Sequence, residues 1–253
     1  MQKNTDPIAV FDSGVGGISV LRELVRLLPD EHYLYFGDST NAPYGTRPTE
    51  EVRLLTLQAA DMLLDRGAKA LVVACNTATA AAITTLREKY PDKIIVGIEP
   101  ALKLAADHFP AARVAVLATP VTLREEKFAH LQERFSAMEV TPIPLPGLVE
   151  LIEGGRPARE IEDFLRPILS PYAGKLDAAV LGCTHYPLVS HILQTLLPGV
   201  TLLDGGKGTA MQTKRRLAAK NLLCPGPGSI QMENSSTDPE CLRRSMALLE
   251  ETL

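Results

Sequence analysis

The sequence predicts an α/β fold of two similar lobes, each a mainly parallel sheet flanked by helices, with a cleft between them. Short apolar runs ending in small or polar residues alternate with longer amphipathic stretches, the pattern of strands and covering helices in such a sheet. Runs beginning at positions 8, 33 and 70 recur at 114, 140 and 178, with separations of 114 − 8 = 106, 140 − 33 = 107 and 178 − 70 = 108. The best local match sets VVACNTAT against VLGCTHYP, which places Cys75 and Cys183 at the same point of the two halves, just past a buried strand.

In chain order, the run Ile8 to Phe11 leads into a helix near Ile18 to Leu28. Tyr33 to Phe36 leads into Thr49 to Arg66, Ala70 to Ala74 into Ala78 to Tyr90, and Ile94 to Ile98 ends the first series. The second series runs from Val114 to Leu117, through a helix from about Val121 to Ala137, to Val140 to Ile143. A loop and a helix follow, then Ala178 to Leu181, a helix over Leu188 to Leu197, and Val200 to Leu203. Thr209 to Asn221 and Pro239 to Leu253 read as helices, and the turn-rich stretch Pro225 to Asp238 has room for one short strand. The expected lobes are residues 1–98 with 208–253, and residues 99–207, divided near Gly97 to Pro100.

The chain of 253 residues is 45% hydrophobic and carries 26 basic against 30 acidic residues, a net charge of −4, which argues against a backbone-driven nucleic-acid binder. No apolar run nears the roughly 20 residues that cross a bilayer, and Met1 to Pro7 is polar with no signal core. A cytoplasmic protein is expected, without a membrane partner. The cysteines Cys75, Cys183, Cys224 and Cys241 are far apart with no CxxC pair, so free thiols are expected rather than a disulfide framework or zinc ribbon.

Ligands of parallel α/β sheets bind beyond the carboxyl ends of the strands, so two facing lobes bring both thiols to opposite walls of one cleft. FDSGVGG puts Asp12 and Ser13 at a strand end, followed by Gly14, Gly16 and Gly17 before a helix. An acidic Asp12 suits an ammonium group, whereas Ser13 and the helix-start amides suit a carboxylate. A capped tight turn is the bland alternative there. In CNTAT, Cys75 precedes Asn76, Thr77 and an alanine-rich helix, whose N-terminus is expected to lower the thiol pKa from about 8.5. GCTHYP repeats the arrangement with Cys183, Thr184 and His185, an imidazole able to stabilise a thiolate or shuttle its proton. After the second strand, GDSTNAPYG carries Asp38, Ser39, Pro43, Tyr44 and Gly45, which can face the cleft with backbone amides and a hydroxyl. Glu153 ends a short helix beside Gly154 and Gly155 and reads either as a solvated helix-end carboxylate or as a partner for His185. Cys224 and Cys241 lack polar companions and are assigned to packing.

From FDSGVGG through DSTNAPYG, CNTAT and GCTHYP to the strand ending in Asp204, about residues 8 to 220, the chain resembles the glutamate racemases of the aspartate/glutamate racemase family. That resemblance implies two similar α/β lobes, a homodimer, and cofactor-independent interconversion of L- and D-glutamate that supplies D-glutamate for peptidoglycan. It makes Cys75 and Cys183 the acid/base pair and Asp12, Glu153 and His185 the supporting ionisable residues. The substrate-binding pairs it implies are Asp12 with Ser13, Tyr44 with Gly45 beside Pro43, Asn76 with Thr77, and Thr184 with His185. Thr119 and Thr122 lie where the family has threonines near the substrate, with Ala118 in place of a glycine. Many relatives have a proline at Glu150, which leaves Glu150 as the alternative to Glu153. The lead before Ile8 is shorter than in relatives regulated by a peptidoglycan precursor, which argues against such activation.

The residues fit that chemistry independently: inverting a weakly acidic α-carbon needs a base on one face and a proton donor on the other. Aspartate racemases share the plan but carry a glycine-methionine first turn and a Glu in place of His185. A cysteine hydrolase leaves the symmetric second thiol unexplained. A two-lobed binding module without turnover, and metal ligation by Cys75, Cys183 and His185, are the readings from other classes.

Overall fold

A computed structural model describes residues 3–98, 101–109, 111–124 and 126–250, leaving out the side chains at 126 and 127. The first series forms β1 (Ile8–Asp12), α1 (Ile18–Leu27), β2 (His32–Gly37), α2 (Thr49–Asp65), β3 (Ala70–Val73), α3 (Asn76–Lys89) and β4 (Ile94–Gly97). It continues with α4 (Leu102–His108), β5 (Arg113–Ala118), α5 (Pro120–Arg124), α6 (Glu126–Arg134), β6 (Glu139–Pro144), α7 (Leu148–Glu153) and α8 (Ala158–Leu169). The chain ends with β7 (Ala178–Gly182), α9 (Ser190–Leu196), β8 (Thr201–Asp204), α10 (Gly206–Ala219), β9 (Ser229–Asn234) and α11 (Pro239–Glu250).

Two sheets result, in the orders β4-β3-β1-β2-β9 and β6-β5-β7-β8, and every pairing in both is parallel. Read from the same side, the second repeats the first four strands of the first. The repeat reaches the register: Ile8 sits beside Tyr33 and Ala70, and Val114 beside Val140 and Ala178, so the sequence offsets are those of paired residues. The central strands β1, β3 and β7 are buried along their whole length, which is why they are continuous apolar runs rather than alternating ones. The second sheet's edge strand β6 accommodates Pro142 and Pro144, which a central strand would exclude.

Each sheet has apolar core on both faces. On the first sheet, Ile18, Leu21 and Leu24 of α1 share one core with Ala210, Leu217 and Leu249, while Val52, Leu63, Ile83 and Leu86 of α2 and α3 fill the other. The second sheet is covered by Leu148, Leu165 and Leu193 on one face and by Leu102, Phe128 and Met138 on the other.

The differences from the sequence reading are local. The expected helix Val121 to Ala137 is two helices, α5 and α6, on either side of Glu125, which lies outside the described residues. The helix expected over Leu188 to Leu197 begins as a 3-10 turn at Tyr186–Val189, with Pro187 in its first turn, before α9. The short α4 was absent from the sequence reading; its seven residues are too few for a periodic signal. The expected lobe boundary falls partly on Glu99 and Pro100, and the N-terminal Met1 and Gln2 and the last three residues likewise lie outside the described residues. Among the described residues no helix is long and apolar enough to cross a membrane.

Candidate active site

Every predicted site segment follows a strand at its carboxyl end. Asp12 ends β1 and Ser13 follows it, Pro43 to Gly45 follow β2, Cys75 to Thr77 follow β3, Thr119 and Thr122 follow β5, and Cys183 to His185 follow β7. Glu153 ends α7, the helix after β6. The carboxyl ends of the two sheets meet through polar contacts that are buried or partly buried. Thr184 Oγ1 donates to Asp12 Oδ2 at 3.0 Å, the Val15 amide to Glu153 Oε1 at 2.8 Å, and Ser19 Oγ to the Thr184 carbonyl at 2.9 Å. The Thr77 hydroxyl lies 3.1 Å from that of Thr119 and 3.3 Å from that of Thr122.

The first turn owes its glycines to this approach. Gly14 and Gly16 are not in the left-handed region, so their backbone suits any residue; the restriction is space. A Cβ on Gly14 would come within 2.8 Å of Glu153 Cδ, and one on Gly16 within 2.7 Å of Thr184 Oγ1 and 2.6 Å of His185 Cε1. FDSGVGG therefore lets the other half of the molecule close over it.

Cys75 caps α3: its Sγ accepts the Ala78 amide at 3.4 Å and lies 3.5 Å from Ser13 Oγ. The expected lowering of its pKa does not occur. Burial and the Asp12 carboxylate push the thiol up to about 12, against the opposing helix amide and Ser13 hydroxyl, and the charge of Cys183 adds to the rise. A helix N-terminus contributes a fraction of a charge at one point, whereas desolvation acts over the whole surface of the sulfur. Asp12, fully buried and holding the Gly14 amide at 2.9 Å, is likewise raised by burial, with His185 opposing.

After β7, Cys183 Sγ is 3.7 Å from His185 Nδ1, and His185 Nε2 is 2.6 Å from Glu153 Oε1. Burial favours the neutral imidazole, but the Cys183 sulfur and Glu153 together hold His185 well above its ordinary range. Glu153 resists the effect of its own burial and lies below the usual range through His185, the Val15 amide and the charge of Arg244. Glu150 is exposed one turn earlier on α7, so Glu153 is the carboxylate that reaches His185.

Residues 8–213 match the family model of Asp/Glu/hydantoin racemases. The chain belongs to that family. It is similar to a glutamate racemase of Clostridium botulinum, 44% identical over 256 residues and covering 99% of both chains. A glutamate racemase of Clostridium kluyveri is 47% identical over 257 residues, covering 99% of this chain and all of the other. Among solved structures, glutamate racemase from Thermus thermophilus in complex with beta-chloro-D-alanine superposes with a TM-score of 0.84 at 37% identity, covering 100% of this chain and 96% of that one.

In this racemase-family chain, Asn76 is buried and both polar atoms of its side-chain amide lack a hydrogen-bond partner among the described residues. Such groups are costly unless something polar meets them. The loop after β2 differs from the sequence reading in one respect: Tyr44 donates its hydroxyl to Asp38 at 2.7 Å and Ser39 accepts the Asn234 amide at 2.9 Å. Its hydroxyls are engaged within the first sheet's own loops, and Gly45 packs against Thr119. Sequence reasoning missed Tyr35, whose hydroxyl fixes the Gly14 carbonyl at 2.6 Å, Ser19, which bridges the Gly16 and Thr184 carbonyls, and Arg244. Each acts across a long stretch of chain and has no local motif. Cys224 and Cys241 are partly exposed free thiols. Among the described residues no group of three or more His, Cys, Asp or Glu side chains is placed to hold a metal ion.

Proposed function

We propose that the chain interconverts L- and D-glutamate without a cofactor, with Cys75 and Cys183 as the acid/base pair on opposite faces of the α-carbon. The observation that carries this reading is the equivalence of the two thiols: each follows a central strand at the same register of a repeated sheet, Cys75 beside Ser13 and Cys183 beside His185, with Asp12 and Thr184 joined between the two strand ends. In one direction the thiolate of one cysteine takes the α-proton, forming an S–H bond as the C–H bond breaks. The thiol of the other returns a proton to the opposite face and becomes the thiolate. The reverse reaction exchanges the roles.

Burial and Asp12 make Cys75 a strong base once ionised, suited to a weakly acidic C–H. The substrate ammonium, set beside Asp12, offsets both the buried carboxylate and the charge developing on the α-carbon. Ser13, Asn76 and Thr77 at the start of α3, with Thr184, supply donors for the carboxylates; Thr119 and Thr122 extend that hydroxyl cluster, and Tyr44, Gly45 and Pro43 wall it. His185, held by Glu153, is the imidazolium that serves Cys183.

The same reading assigns residues 1–98 with 208–253 to one lobe and 99–207 to the other. It also expects a cytoplasmic homodimer supplying D-glutamate for peptidoglycan. Its test is incubation of L-glutamate in deuterated water. Deuterium at the α-carbon together with loss of optical rotation supports a racemase; a binding module yields neither. Cys75→Ser and Cys183→Ser are each expected to abolish racemisation, while elimination from a chloro-substituted glutamate, which needs one base, survives for one enantiomer in each variant. A single variant that racemises at the normal rate overturns the two-thiol assignment.

A further inference from the structure

Against Glu153 lies a cavity of about 210 Å³ lined by Val15, Glu153, Gly154, Asp238, Glu240, Cys241 and Arg244. Its far wall is α11, a helix that the racemisation chemistry does not otherwise use. We propose that Arg244 is a positioning residue for the reaction: its guanidinium, seated over the Gly154–Gly155 turn that ends α7, holds the Glu153 carboxylate against His185.

Three observations carry this. Gly155, two residues after Glu153, is left-handed at φ +61°, and a Cβ there would stand 2.5 Å from Arg244 Nη2 and 2.8 Å from Cζ. The turn thus needs glycine both for its backbone and to admit the guanidinium. The carboxylates at the start of α11 are already engaged: Glu240 pairs with Arg243 at 2.9 Å, and Asp238 accepts the Glu240 amide at 2.9 Å. Finally, the charge of Arg244 acts on Glu153 in the direction that keeps it a carboxylate. Among the described residues, the charged and titratable groups around Glu153 are His185, Asp12 and Tyr35 from the site, and Arg244, Asp238, Glu240 and Cys241 around the cavity.

This inference rests on the proposed role of the Glu153–His185 pair, and its test separates the two. Arg244→Leu and Arg244→Lys are compared with the full-length wild type for kcat, KM and the pH profile of kcat, with folding checked by circular dichroism. Without the cation Glu153 protonates at higher pH. Arg244→Leu is therefore expected to lower kcat about tenfold, change KM less than about twofold, and move the acid limb of the profile upward by about one pH unit. Arg244→Lys, keeping the charge, is expected to restore both kcat and the limb. If Arg244→Leu does not fold, Arg244→Gln is read by the same criteria. Wild-type kcat in the neutral variant, a loss with an unmoved acid limb, or a lysine variant as impaired as the leucine one overturns the inference. Glu153→Gln separates the levels: if it racemises as the wild type does, the reading of the Glu153–His185 pair itself fails. If it is impaired while Arg244→Leu is not, only the role of Arg244 fails.

Discussion

Gly16→Ala places one methyl group where the two halves of the molecule meet. The backbone at Gly16 tolerates alanine, so the effect comes from contact alone. The added carbon would lie nearest His185 Nδ1, with 2.6 Å to His185 Cε1 and 2.7 Å to Thr184 Oγ1, whereas ordinary contacts begin near 3.4 Å, so these groups must retreat by about 0.7–1 Å. Both are buried, and neither can swing into solvent. Overpacking of this kind costs about 1–3 kcal/mol, and a chain of this size loses about 2–4 °C in Tm for each kcal/mol. Misplacing a reacting group by about 1 Å costs on the order of 100-fold in rate. The expected result is a folded protein with a Tm lower by a few degrees and kcat/KM for glutamate lower by about two orders of magnitude. Polarimetric racemisation assays and calorimetry measure the two. Wild-type kinetics in a folded Gly16→Ala variant would refute the placement of His185 and Thr184 against this turn in the working protein.

Asp12→Asn is expected to stabilise the fold while removing activity. The folded-state pKa of Asp12 lies above its unfolded value near 3.8, so the native state binds the proton more tightly and wild-type stability declines as pH rises above that value. Denaturant midpoints of the two proteins should therefore differ most at neutral pH and converge toward pH 3; a wild type more stable than the variant at pH 7 contradicts this. With the Cys75 pKa at about 12, its thiolate fraction at pH 8 is about 10⁻⁴, so iodoacetamide should label Cys224 and Cys241 well before Cys75. Peptide mass mapping over time reports the order, and equal rates count against the buried, unionised thiol. Lys69 is fully buried and pairs with the equally buried Glu31 at the amino end of β3, opposite the thiols. Lys69→Met should cost about 3–5 kcal/mol in urea denaturation through the stranded carboxylate, with kcat retained while the fold persists. A near-neutral change would show that the Cys224 amide, which Glu31 already accepts at 2.9 Å, is enough to hold the carboxylate.

The sequence alone was enough to place the inner strands, because burial on both faces demands continuous apolar runs and this demand is met within four to six residues; the exposed edge strand β9 carries no such run and was legible only as room for a short strand. The spacing of those runs also carried the twofold repetition, since connections of nearly equal length lead to the same pairings: Val114 stands to Val140 and Ala178 as Ile8 stands to Tyr33 and Ala70. Cys75 and Cys183 were therefore legible as equivalent positions before any coordinates. The tertiary structure alone decided what surrounds them. Asp12 meets Thr184 across 172 positions, Val15 meets Glu153 across 138, and Arg244 closes on the turn after α7 from the far end of the chain. No local pattern encodes such meetings, because they depend on how two separately formed sheets abut. The Cys75 thiol shows the consequence: its helix terminus is a short-range feature readable from CNTAT, but its desolvation and its exposure to Asp12 sum over neighbours drawn from the whole chain, and that sum prevails.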